Sequence, residues 1–252
     1  MTRFKLTLAY DGAGYAGWQV QKTGTGIQEK VEHALASVSG RVVRLHSSSR
    51  TDTGVHALGM VAHVDLPWDS SLMPLRKLPL AINAHLPDDI RVTAIRRVPA
   101  GFHARFWAIG KEYRYQVWND RFMNPLLRHQ AWHVPSQLDL AAMRLAAAQL
   151  EGRHDFRSFA ATRNYAIQDT VRTVTRCALR KQGPLITFTI RADGFLYKMC
   201  RGFVGTLVQV GQGKIQPEQL AEVLDCRDRR AAGMTAPAHG LILWKVFYPN
   251  ET

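Results

Sequence analysis

The chain has 252 residues, with 33 Lys and Arg against 20 Asp and Glu, a formal net charge of +13 and 46% hydrophobic residues. That length and composition predict one large or two small globular domains with a true core, and exclude disordered, collagen-like and disulfide-scaffold classes. Its apolar runs are a handful of residues, far short of the ~20 that span a bilayer.

Cys177, Cys200 and Cys226 are odd in number and widely spaced. That argues against a disulfide framework and against structural zinc, and fits a reducing cytoplasm. No signal-peptide pattern precedes the first strand, so a cytoplasmic chain is expected. The positive surplus favours a polyanionic partner, of which nucleic acid is the commonest. The cations are scattered, so a basic surface has to be assembled by folding. The bland alternative is a lineage that uses many arginines.

In chain order, Phe4, Leu6, Leu8 and Tyr10 alternate with Lys5, Thr7 and Ala9, the period of a half-buried strand. A turn at Asp11-Gly12-Ala13-Gly14 follows. Ile27, Val31, Ala34, Leu35 and Val38 predict an amphipathic helix, opened by a capping box of Thr25 and Gln28 and stopped by Gly40. Strands are predicted at 42–46 and 59–65 around a polar loop, and at 90–98; Pro79 and Pro87 cut the stretch between into a short helix and loops. A long strand over 107–119 places Tyr113, Tyr115 and Val117 on one face. Ser136 with Asp139 opens an Ala-rich helix that ends near Gly152.

Two further strands, 171–180 and 185–192, join at Gln182-Gly183-Pro184, a hairpin signal. Arg172, Arg176 and Arg180 share one parity, which predicts a wet, basic face. A long helix is predicted from Phe195 to about Val210, a short one from Pro217, and a last strand over 241–248. Leu6–Gly12 and Phe188–Gly194 are both strand-then-Asp-Gly, a faint internal echo. The fold class predicted is therefore α+β, with an N-terminal lobe over 1–106 and a C-terminal lobe over 107–252, each a sheet with helices on one face.

Walker A, GxSxG, HExxH and EF-hand signatures are absent from the sequence. Gly12, Gly14 and Gly17 have GxGxxG spacing, but no good helix opens after them and no acidic residue follows at a strand end, so turn geometry is their expected use. The most unusual segment is Ser47–His56, a hydroxyl-rich loop between strands with Arg50 and Asp52 two apart. A nearby guanidinium keeps a partly buried carboxylate ionised, as a nucleophile or base needs. An Asx turn explains the same Asp equally simply.

Tyr113 and Tyr115 read by default as core. Flanked by Arg105, Lys111 and Arg114, they are also open to reading as a stacking surface beside phosphate-binding charges. On the helix after Phe195, apolar residues cover most of the circumference, leaving a stripe of Lys198, Arg201, Gly202, Gly205 and Gln209. Two glycines there predict close backbone approach. A largely buried Arg201 calls for an acidic partner or a phosphate. His56, His63 and Asp65 lack a second cluster, so packing is favoured over metal.

Together these segments resemble the TruA-type tRNA pseudouridine synthases, nearly end to end. The resemblance is carried by Tyr10-Asp11-Gly12 through Gly17-Trp18-Gln19, Arg50–His56, Phe102–Phe106 and Lys111–Tyr115. It continues through Asp155–Phe159, Phe195–Gly205, and Ala236-Pro237 with Gly240-Leu241. It implies the pseudouridine synthase fold, two similar lobes forming a mainly antiparallel central sheet flanked by helices, with a basic cleft between the lobes. It also implies isomerisation of uridine in the tRNA anticodon stem-loop at positions 38 to 40, without cofactor or metal, by a homodimer whose subunits share each tRNA.

By motif, Asp52 resembles the family's nucleophile, Tyr113 its base-stacking tyrosine, and Arg201 the basic residue paired with the aspartate. Arg50 resembles the arginine that helps place flipped RNA, and Arg105 and Lys111 are expected to bind substrate. Ser49, Thr53 and Gly202 depart from the usual glycine, alanine and asparagine. Other readings are a noncatalytic RNA-binding protein, a metal-dependent nuclease using Asp11, Asp52 and His63, and a small-molecule enzyme of similar fold.

Overall fold

A computed structural model describes residues 1–21, 24–67, 73–161 and 169–249. The chain is α+β, mostly antiparallel sheet flanked by helices. It divides into two units, Met1–Ile109 with Ile242–Thr252, and Gly110–Leu241. Among the described residues no helix is long and apolar enough to cross a membrane.

In the first unit, β1 (Thr2–Tyr10) has the predicted alternation, with Phe4, Leu6 and Leu8 fully buried on one face. Burial of each such side chain contributes about 2 kcal/mol. β3 (His56–Leu66) and β4 (Ile90–Arg97) flank it antiparallel, and β10 (Leu241–Phe247) runs parallel to β3 at Ile242↔His56. α1 (Ile27–Ser39) buries Ile27, Val31, Ala34 and Leu35, and α2 (Leu78–Asn83) packs on β4.

Gly40 stops α1 as predicted, left-handed at φ 67° with its N–H on the Ala36 carbonyl. The capping box does not form. Gly26 is the N-cap, because a Cβ there would sit 2.7 Å from the Gln19 carbonyl oxygen, and Gln28 bonds Glu32 and the Leu45 carbonyl instead. The strand expected at 42–46 shrinks to β2 (His46–Ser47), and Val42 is almost fully exposed. Pro79 lies in the first turn of α2, where its missing N–H is harmless, so it starts the helix rather than cutting it. Lys5, expected on the wet face, is only 7% exposed because Tyr248 and Phe102 cover it.

In the second unit, β5 (Gly110–Trp118), β9 (Leu185–Ala192), β8 (Val171–Gln182) and β7 (Gly152–Asp155) pair antiparallel in that order, with β6 (Trp132–His133) parallel to β5. Tyr113, Tyr115 and Val117 share the buried face of β5, as predicted. The β8–β9 hairpin turns at Gly183-Pro184. α3 (Leu140–Gln149) packs on β8 and on α4 (Met199–Gly211), while α5 (Gln219–Cys226) reaches β7.

Asp139 alone caps α3, its Oδ1 accepting from Ala141 and Ala142. α4 begins four residues later than expected. Lys198 is left-handed at φ 60° and ends the Phe195–Lys198 bend. Arg172 does not share a face with Arg176 and Arg180. The register shifts between Val174↔Ala192 and Arg176↔Arg191, and that bulge reverses the parity of everything before it.

Candidate active site

Asp52 lies on the connection from β2 into β3. Its main-chain carbonyl accepts from the Val55 N–H at 3.1 Å, closing a turn in which Gly54 takes φ +76°. Only glycine takes that third turn position without strain. The Asp52 side chain is half-buried, Thr51 before it is buried, and Arg50 and Thr53 are exposed.

The segment Tyr10–Trp18 holds this loop from behind. The Tyr10 hydroxyl bonds Thr51 Oγ1 at 2.8 Å, and the Trp18 N–H donates to the Thr51 carbonyl at 3.0 Å. A Cβ on Gly17 would lie 2.7 Å from the Thr51 carbonyl oxygen and 3.1 Å from Asp52 C, and one on Gly12 would lie 2.1 Å from the Val55 carbonyl oxygen. These glycines let one backbone lie directly on the other. Gly12 N–H also donates to His56 Nδ1. Tyr15 anchors the far side through Asp89, at 2.6 Å, and burial and that carboxylate together push its phenol up, so it stays protonated.

Arg105 is exposed, its guanidinium 5.8 Å from the Phe106 ring. Beside it, His63 accepts the Ala104 N–H at Nδ1 and stacks on His46 at 5.0 Å, so His63 serves packing. Burial, then His103 and His46, pull it down to about 4, which keeps it neutral. Among the described residues no group of three or more His, Cys, Asp or Glu is placed to hold a metal ion.

In the second unit, Tyr113 is 8% exposed and meets Phe195 edge-on at 5.0 Å. Lys111, on the same strand and parity, is half-buried opposite Ala192. Arg201 is half-buried on α4, and its Nε donates to the Ala236 carbonyl at 2.7 Å, while the Ala236 N–H returns a bond to the Arg201 carbonyl. Tyr115, fully buried, donates to the next carbonyl, Pro237, at 2.8 Å. Burial raises its phenol well above the usual range, opposed by the charge of Arg201. Arg201 and Tyr115 thus brace the Ala236-Pro237 segment from two elements.

Both predicted glycine contacts on α4 form. A Cβ on Gly205 would fall 1.8 Å from the Met234 carbonyl oxygen, and one on Gly202 3.2 Å from that of Phe159. Tyr115 is core, as the default sequence reading had it; sequence reasoning missed the bond from its hydroxyl to Pro237 and the clamping use of Gly12 and Gly17. The available signal was their position in segments that carry the family resemblance.

Residues 7–107 and 146–249 match the tRNA pseudouridine synthase family. The chain belongs to that family. It is 42% identical over 248 residues to tRNA pseudouridine synthase A of Acetivibrio thermocellus, covering 98% of this chain and 100% of that one. It is 43% identical over 250 residues to the Bacillus pumilus protein of the same name, covering 98% and 100%. For that of Geobacter sulfurreducens the figures are 47% over 246 residues, covering 98% and 99%. Ser49 carries a structural cost, since its Oγ is buried without a hydrogen-bond partner among the described residues.

Proposed function

We propose that this chain isomerises uridine to pseudouridine at positions 38 to 40 of the tRNA anticodon stem-loop, with Asp52 as the nucleophile. It is an isomerase of the tRNA pseudouridine synthase class. In the reaction the N1–C1′ bond of the uridine breaks, the uracil turns, and a C5–C1′ bond forms. The proton leaving C5 balances the one gained at N1, so no redox partner is consumed. Attack at ribose C1′ or at base C6 needs an ionised carboxylate in either case.

The observation that carries the Asp52 assignment is the clamp on its loop. Tyr10, Gly12, Gly17 and Trp18 fix the backbone on both sides of one half-buried carboxylate, as a group aimed at a reacting atom requires. Arg201 is assigned to hold that carboxylate ionised, Tyr113 to stack on the flipped base, and Arg50, Arg105 and Lys111 to bind phosphates around it. These roles follow the family resemblance and the chemistry each residue type offers. The chain is read as a cytoplasmic homodimer whose subunits share each tRNA.

The test is mass spectrometry of unmodified tRNA transcripts after incubation and derivatisation of pseudouridine. Transcripts carrying uridine at 38, 39 or 40 should gain the mark, and transcripts lacking all three should not. Product elsewhere only would contradict the region assigned. Bound but unmodified tRNA would favour the noncatalytic reading.

A further inference from the structure

In the second unit, residues 232–237 are irregular chain leading from α5 toward β10, yet every one of them is tied down. Side chains of α4 hold three. The Gly233 N–H donates to Thr206 Oγ1 at 3.0 Å, the Met234 N–H to Gln209 Oε1 at 2.9 Å, and the Ala236 carbonyl accepts from Arg201 Nε. The Pro237 carbonyl accepts from Tyr115. A Cβ on Gly233 would lie 2.3 Å from Gln209 Oε1, so this strap sits directly on the helix. An ordinary connection makes few such bonds and opens easily.

The remaining ties converge on one side chain, Arg229. Its Nη1 donates to the Gly233 carbonyl at 2.8 Å and to that of Ala232 at 3.3 Å, and its Nη2 to Thr235 Oγ1 at 2.7 Å. All three acceptors are neutral. The adjacent carboxylate, Asp228, is bonded by Arg230 at 2.6 Å. Arg229 is half-buried, and burial pulls its pKa below the usual guanidinium value, with no carboxylate among the described residues opposing that. A charge placed so is expensive unless its hydrogen bonds are well made. A rigid planar fork makes them to two carbonyls and a hydroxyl at once, which the single ammonium of a lysine does not.

We propose that Arg229 is a positioning residue for the isomerisation: by locking 232–235 it fixes the Ala236 carbonyl, and through that carbonyl the direction in which Arg201 presents its terminal nitrogens. The inference deepens the assignment of Arg201 to the Asp52 carboxylate and rests on it. The link is short. Ala236 accepts from Arg201 Nε and returns its N–H to the Arg201 carbonyl, so side chain and main chain of Arg201 are both set by one residue. Thr235, bonded by Arg229, is its immediate neighbour. Slack at the Arg229 end therefore reaches the guanidinium within one residue, and a misplacement of about 1 Å is enough to slow a reaction severely.

The experiment compares wild type with Arg229→Gln, Arg229→Lys, Thr235→Val, Arg201→Gln and the Arg201→Gln/Arg229→Gln double variant, with Arg144→Gln on α3 as control. Single-turnover pseudouridine formation and affinity are measured on a tRNA transcript below each melting point. Hydrogen exchange at the Arg201 Nε–H is followed by NMR of arginine-labelled protein, the signal being assigned by its loss in Arg201→Gln. Arg229→Gln should slow turnover roughly tenfold to hundredfold while tRNA affinity stays within about twofold, and Arg229→Lys should recover only part. Thr235→Val keeps the charge and removes one acceptor, so it should slow turnover about threefold, and it carries the same test if Arg229→Gln does not fold. The Arg201 Nε–H should exchange faster in each of these variants, and Arg144→Gln should match wild type throughout.

Because Arg229 acts through Arg201, adding Arg229→Gln to Arg201→Gln should slow turnover no further. Losses that multiply in the double variant, or an Arg201 Nε–H as protected as in wild type, would overturn the proposal and leave the assignment of Arg201 standing. A wild-type rate in Arg201→Gln would overturn that assignment and the proposal with it.

Discussion

The loop bearing Asp52 takes its shape from another loop, Tyr10–Trp18, laid against it backbone to backbone. The helix bearing Arg201 takes its shape from burial, since every residue of α4 except Arg201 and Gln209 is buried. Both depend on glycines, but differently. Gly17 combines a positive φ with a carbonyl at van der Waals contact, whereas Gly205 is ordinary helix whose missing side chain admits the Met234 carbonyl. The lesson is that a short polar loop needs a specific template, while an apolar helix needs only space and one open side for its charge.

That contrast can be broken at either end. Gly205→Ala has the larger expected effect on folding. Its Cβ would collide with backbone, so the second unit must shift, at a cost near the top of the roughly 1–3 kcal/mol range for overpacking or above it. Calorimetry should show a melting point lowered by several degrees; an unchanged one would mean the Met234 segment is free to move away.

Gly17→Ala combines strain at φ +93° with contact against Thr51, an expected loss of about 1–2 kcal/mol. Its distinguishing effect is on chemistry. Turnover should fall at temperatures where the variant is still folded, because the Asp52 loop is displaced. Turnover that falls only as the protein melts would reduce the clamp to ordinary stability.

A smaller effect separates the site from its surroundings by pH. His63 is held near 4 in the fold against an ordinary 6.5, so at neutral pH folded and unfolded chains are both mainly uncharged there. As pH falls from about 6.5 to about 4 the unfolded chain takes up a proton that the folded one refuses, and stability is lost. Melting should therefore drop across that window, and His63→Gln should flatten the drop. An equal slope in the variant would place the titrating group elsewhere.

Much of the fold was legible because strand alternation and turn residues are local. β1, the Gly183-Pro184 hairpin and the Gly40 stop are written in a few neighbouring residues each. The misses came from partners distant in sequence. Gln28 gave up the capping box for Glu32 and Leu45, and Tyr248 buried Lys5. A bulge at Thr175 turned Arg172 to the other face, which no parity count detects. The Asp52 loop stood out by composition, yet its template lies some 35 residues away. The glycines of that template, read as turn residues, are spaced to meet a second backbone.

The central claim is that Asp52 is the nucleophile of a uridine isomerase, and single-turnover reaction of tRNA with wild type and Asp52→Asn tests it most directly. Asn keeps the size and the turn and removes the charge. The account predicts that Asp52→Asn binds tRNA with near-wild-type affinity, melts at a similar temperature and forms no detectable pseudouridine. Pseudouridine formed by that variant at any measurable rate would contradict it.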